Sequence, residues 1–280
     1  MIIDFHTHIF PPQIKNNRSR YIDSDPCFAM LYSNPKSKLV TADELISSMD
    51  RAGVDISVIL NIGWTTHELC LETNDYILES ISRYPERLVG FCSVQLQSPE
   101  AALKEVERCA SGGIKGVGEL RPDMQLLDIS DNQLINPFVD IMKKHNLILL
   151  THTSEPVGHI YPGKGVVTPE VLYPFITDNP ELTIVCSHWG GGLPFYALMP
   201  EVKREISNVY FDTAASPLLY SPRIYEQAVQ LVDADKILFG SDYPLLTQER
   251  CLKEIEACDL PEDTKNMILA GNARRLLGIN

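Results

Sequence analysis

A single-domain (β/α)8, or TIM, barrel is the fold class this chain predicts, and three observations predict it. Eight short runs rich in Val, Ile, Leu and Phe recur through its 280 residues, near 2–6, 54–61, 87–95, 114–120, 147–152, 182–188, 208–212 and 236–241. Most are apolar on both faces, as buried parallel strands are, and helical patterns separate them. Five of the runs deliver an imidazole or a carboxylate at their C-terminal ends, the face on which barrel strands converge on a site. A doubly wound open sheet is the weaker reading, because no Gly-rich phosphate turn follows the first run.

Taken in order, the first run, IIDFHTH, ends in His6 and His8. Side chains alternate along a strand, so both rings point the same way, with Cα atoms roughly 6 to 7 Å apart. The polar, Pro-bearing segment 9–40 then reads as a long loop insertion. TADELISSMDRAG follows, opening on Thr with Glu three places on and stopping at Gly, as a capped helix should. After the second and third runs come the helical patterns ETNDYILESISRYP and SPEAALKEVERCASGG. The fourth run, KGVGELRP, delivers Glu119 with Arg121 two places on; Lys115 lies earlier, toward the barrel floor.

SDNQLINPFVDIMKKHN places His145 at a helix C-terminus, where a cation suits the dipole. The fifth run, LILLTH, delivers His152 and leads into a second insertion, 153–167, whose Gly158, Gly163 and Gly165 offer hinge points. Insertions on this face are where lids and specificity elements sit. TPEVLYPFITDNP precedes the sixth run, which ends at His188 in LTIVCSH. SPRIYEQAVQLVDA separates the seventh run from the eighth, KILFGSDYP, which ends at Asp242, and LPEDTKNMILAGNARRLLG closes the chain as a helix.

Composition narrows the function. A formal net charge of -13 argues against a nucleic-acid partner, which would need Lys and Arg clusters for phosphate neutralisation. No run approaches the length of a membrane span. Seven scattered cysteines without a CxxC pair fit reduced thiols. With no room for a leader before DFHTH, a cytoplasmic protein acting on a small molecule is expected, and a homodimer on general grounds.

His6, His8, Glu119, His152, His188 and Asp242 together form a donor set for one or two divalent cations, zinc first and manganese second. Such a cation lowers the pKa of its water from 15.7 to roughly 7 and polarises a carbonyl. Asp242 is placed to take the water's proton and pass it to a leaving group. Arg121 can grip a substrate carboxylate bidentately, or pair with Glu119 as a structural ion pair. His159, Tyr161 and Lys164, on the second insertion, are candidate substrate contacts.

HTH on the first strand, His152, His188, SHWGGGLPF, FGSDYP with Asp242 and the GNARRLLGI tail resemble the amidohydrolase superfamily along nearly the whole chain. The branch that includes aminocarboxymuconate-semialdehyde decarboxylase is the most similar. The resemblance implies that His6, His8, His152 and Asp242 hold the first metal, with His188 as acid/base or hydrogen-bond donor beside it. A carbamylated lysine on the fourth strand, common where two metals are bound, is not matched. Glu119 instead looks like the glutamate of TatD-type hydrolases; if it bridges, His188 ligates a second cation.

The expected reaction is hydrolysis of an amide, lactam, lactone or ester by metal-activated water. The alternative is non-oxidative decarboxylation of an unsaturated or aromatic acid, with the metal and Arg121 orienting the acid and His188 or Asp242 protonating carbon. Phosphodiester hydrolysis, suggested by Glu119, runs against the negative charge. Loss of Asp242 or of the histidine pair would point to a metal-dependent binding protein without turnover, and both are present.

Overall fold

Each of the eight apolar runs is a strand in the computed structural model, which describes residues 1–279. They are β1 (Ile3–His8), β2 (Ile56–Leu60), β3 (Leu88–Cys92), β4 (Gly116–Leu120), β5 (Ile148–Thr151), β6 (Ile184–Cys186), β7 (Val209–Asp212) and β8 (Ile237–Leu238). All neighbours pair in parallel and the order around the sheet is the order in the chain. Helices fill the connections, giving the TIM barrel.

Closure falls at the shortest strand. Beyond Leu238 the seam is carried by single bonds: Phe5 N donates to Phe239 O (2.7 Å), Asp242 N to His6 O (2.9 Å) and His8 N to Tyr243 O (2.7 Å). Phe5, Val58, Phe91, Leu150, Val185 and Leu238, from six different strands, meet in one buried cluster. Only a closed sheet brings six strands' side chains together in this way. A larger cluster joins the other strand faces to the helices.

Segment 9–40 departs from its expected character. It folds as three short helices, Pro12–Asn16, Arg18–Ser24 and Pro26–Tyr32. Its prolines at 12 and 26 sit at first helical positions, where a missing N–H costs nothing, so they start helices instead of breaking them. Asp25 caps the third helix through Phe28 N (2.8 Å) and also accepts from Thr65 N (2.8 Å), tying the segment to the turn after β2. Phe10, Tyr21, Phe28, Tyr32 and Trp64 form a separate aromatic core beneath it. Phe28 is fully buried and stacks on Trp64 at 5.5 Å. Phe28→Ala should therefore cost about 3 to 5 kcal/mol, read as a shift in urea midpoint; a loss under about 1 kcal/mol would show that the segment contributes little to the folded state.

Helix Gln248–Ala257 after β8 was not among the expected helical patterns, nor was the short Pro200–Glu205 between β6 and β7. The 153–167 segment contains no helix or strand. Among the described residues no helix is long and apolar enough to cross a membrane.

Candidate metal centre

β1 slips its register against β2 between Asp4 and Thr7, yet His6 and His8 still converge. Their Nε2 atoms lie 3.1 Å apart. A cation about 2.1 Å from each of two nitrogens holds them roughly 3 to 3.4 Å apart, so the pair is spaced for one. His8 Nδ1 is buried without a partner. His6 Nδ1 lies 2.8 Å from Asp212 Oδ2. An ionised Asp212 only accepts, so His6 carries a proton on Nδ1 and directs Nε2 inward, the arrangement in which a carboxylate orients a ligating imidazole. Burial opposes a charge on His6, but Asp212 outweighs it and raises the pKa to about 10, so without a cation Nε2 also carries a proton, which a metal binding there would displace.

Asp242 sits in the left-handed region at φ +63°. Its Oδ1 is 3.3 Å from His8 Nε2 and 3.9 Å from His6 Nε2. Burial would raise its carboxyl, but the hydrogen bond to His8 and the charge on His6 hold it below the usual range. The preceding turn is fixed by Asp4, fully buried, which accepts from Ser241 N (2.9 Å), Ser241 Oγ (2.6 Å) and Gln248 Nε2 (2.9 Å).

Glu119 closes β4 at a second register slip, between Val117 and Leu120. Its Oε1 is 2.9 Å from His152 Nδ1, 3.5 Å from His188 Nε2 and 3.3 Å from Ser187 Oγ. Burial and the Arg121 charge push His152 down to about 4, leaving it neutral, while the two imidazoles overcome burial and keep Glu119 ionised. His188 Nδ1 is held on Ala214 O at 3.1 Å, which leaves Nε2 for the centre. His188 to Gly192 all have positive φ, two non-glycine residues followed by three glycines. That continuous left-handed turn explains the GGG of the sequence, since each non-glycine residue in it costs roughly 1 to 2 kcal/mol.

One donor atom from each of His6, His8 and Glu119 lies within 4.8 Å of the others, and the same holds for Glu119, His152 and His188. Glu119 is common to both groups, and Asp242 lies against the first. The spacing and the nitrogen–oxygen donor set fit a divalent cation. Lys115 is exposed ahead of β4, away from these donors.

The donors open into a cavity of about 570 Å³ lined by His8, Glu119, Arg121, His152, His188 and Asp242. Of the candidate substrate contacts, Arg121, His159 and Tyr161 also line it. Arg121 does not pair with Glu119: its Nη2 donates to Gly163 O (2.8 Å) and Asp123 Oδ2 (3.3 Å), and its Nε is buried without a partner. Lys164 is not part of the lining; its Nζ donates to the carbonyls of Val157 and His159 within its own loop.

Two contributions escape the sequence reading. Asp212 ends β7 and joins the site from behind, its Oδ1 accepting from His188 N (2.9 Å) and Ala214 N (3.0 Å) while Oδ2 meets His6. The signal was the same as for the other strands, a short apolar run ending in a carboxylate. Tyr32, Lys36 and Lys38 bring the first insertion into the cavity wall, which nothing in their local sequence indicates.

The fold and this centre define a barrel with a buried histidine–carboxylate cluster at the C-terminal face of its strands. The chain belongs to the amidohydrolase family, whose model matches residues 3–279. It is 23% identical to 2-amino-3-carboxymuconate-6-semialdehyde decarboxylase of Dictyostelium discoideum, covering 99% of this chain and 92% of that one. It is likewise 23% identical to gamma-resorcylate decarboxylase of a Rhizobium strain, over 76% of this chain and 77% of the relative. The 5-carboxyvanillate decarboxylase of Novosphingobium aromaticivorans, solved with manganese and a nitrobenzoic acid, superposes with a TM-score of 0.84 at 19% identity, covering 100% of this chain and 97% of that one. The expectation of hydrolysis is corrected by these findings: the relatives are decarboxylases. A cation held by imidazoles and carboxylates serves either chemistry, and the surrounding loops, not the donors, select between them.

Proposed function

We propose that the chain, as one domain over 1–280, is a divalent-metal-dependent decarboxylase that removes carbon dioxide without oxidation from an unsaturated or aromatic carboxylic acid. The near full-length likeness to a decarboxylase carries this reading, and the buried, incompletely paired Arg121 beside the donors supports it. His6, His8, Glu119, His152 and Asp242 would hold the metal, with His188 Nε2 beside it as the acid. Manganese, the ion in the Novosphingobium structure, is the first to test and zinc the second. When bound, the cation supplies positive charge that orients the acid and withdraws electron density from it.

The chain's own groups supply the rest. The Arg121 guanidinium positions the acid through charge-assisted hydrogen bonds. The bond between the carboxyl carbon and its neighbour breaks, the electron pair stays with the substrate carbon, and carbon dioxide leaves. That carbon takes one proton from His188, which regains it from water, so no oxidant enters the balance. The His188 ring is suited to this because Ala214 O fixes its Nδ1 and the ring meets the cavity.

Carbon dioxide release from gamma-resorcylate, 5-carboxyvanillate and 2-amino-3-carboxymuconate-6-semialdehyde, with manganese-loaded and zinc-loaded protein, tests the reading. Release from none of them, under conditions where a known decarboxylase turns them over, sinks it. Arg121→Gln should raise KM about 30-fold or more, as expected for losing about 2 kcal/mol or more when one member of a buried charge pair is removed. An unchanged KM would remove Arg121 from acid binding.

A further inference from the structure

We propose that the substrate carries an apolar substituent beyond its acid-bearing part, and that Leu31, Leu218, Leu219 and Leu245 form the subsite that takes it. The inference rests on the decarboxylase reading for where the acid sits.

The cavity changes character from its depth to its mouth. The histidine donors, Glu119 and Arg121 are buried and Asp242 is half-buried, whereas Leu218 and Leu245, in the same lining, are 43% and 61% exposed. Leu245 lies on the turn after Asp242 and Leu218 on the single helical turn Ser216–Leu219, and both segments also position the centre. Leu245 N donates to Asp242 O (2.8 Å), and Leu218 N to Ala215 O (2.9 Å), next to the Ala214 carbonyl that holds His188. Such turns are fixed by the centre itself, so these leucines have little freedom to withdraw from water. Leu31 and Leu219 add half-buried apolar surface to the same lining.

Apolar surface left in water at the mouth of a polar site marks a ligand contact. The volume points the same way. About 570 Å³ lies within the roughly 300 to 1,000 Å³ that encloses drug-sized ligands, more than a single-ring hydroxy acid fills. Asn34, Lys36, Ser37 and Lys38 line the cavity as well, and the lysines are exposed. The mouth is therefore amphiphilic, suited to an acid with a short hydrocarbon arm.

The test uses the full chain loaded with manganese and a series of 2-hydroxybenzoates bearing no chain, or a methyl through pentyl chain, at the 6-position. Dissociation constants come from calorimetry and carbon dioxide release is followed in parallel. Affinity should rise about fourfold per methylene over the first few, the equivalent of about 0.8 kcal/mol each. The Leu218→Ser, Leu245→Ser double variant should flatten that slope by at least half. If the variant does not fold, the wild-type slope decides alone. A flat or falling dependence in the wild type, or an undiminished slope in the folded variant, overturns the subsite. Affinity that rises with chain length without carbon dioxide release keeps the subsite and removes the decarboxylase reading; release with a flat slope does the reverse.

Discussion

Asp212→Asn should lower the affinity of metal-stripped protein for manganese by about 10- to 100-fold, the usual cost of disturbing a residue behind a metal ligand. Asparagine has the same shape, and its carbonyl oxygen can still accept from His188 N and Ala214 N, the two bonds Asp212 Oδ1 makes. Its amide nitrogen, however, would face His6 Nδ1 where Oδ2 now lies at 2.8 Å. Two donors cannot meet there, so the imidazole must move its proton to Nε2, the atom that faces His8 and the centre. Competition against a chelator of known affinity measures the loss, with circular dichroism of the apo-protein as the control for folding. An affinity within about threefold of wild type, in folded protein, would show that Asp212 supports the backbone alone.

Gly191→Ala should destabilise the protein by about 2 to 5 kcal/mol, adding a left-handed penalty of roughly 1 to 2 to an overpacking cost of roughly 1 to 3. Gly191 has φ +58°, and a Cβ there would run into the backbone carbonyl of Ser154. The obstruction is main chain on both sides, so no side-chain rotation relieves it. Ser154 is also the junction between His152 and the second insertion: its Oγ is 3.1 Å from His152 Nε2 and accepts from Gly165 N at 2.9 Å. Moving it would disturb the metal centre and the loop together. Urea unfolding of the variant supplies the measurement, and a change under about 0.5 kcal/mol would mean that the turn yields easily.

The barrel was legible because its strands are buried on both faces and so read as uninterrupted apolar runs, and because five of them end on imidazole or carboxylate. The pattern at β7 was equally available in VYFD, yet Asp212 acts through His6 instead of reaching the cavity, and a strand end does not reveal which of these it will do. The helices of 9–40 were hidden by Pro12 and Pro26, which signal a break or a beginning with the same residue. Helix Gln248–Ala257 was hidden by its polarity, with only Cys251, Leu252 and Ile255 as buried apolar positions. The reaction was misjudged for a different reason. Donor residues specify a cation, while hydrolysis or loss of carbon dioxide depends on how walls drawn from distant loops present the substrate. Lys36, Lys38 and Leu245 belong to such walls, and local periodicity carries no trace of that assignment.

The seam between β1 and β8 ties the making of the centre to the order in which the chain is synthesised. Two of its closing bonds join the backbones of His6, His8, Asp242 and Tyr243, so the first and last donors come together only as the cylinder shuts. A ribosome releasing the chain has exposed the histidine pair long before Asp242 emerges, and throughout that interval the pair lacks both its carboxylate neighbour and the Asp212 that orients it. The full donor set is thereby assembled only after the chain has been made through Asp242, and any cation that needs all of it must wait until then.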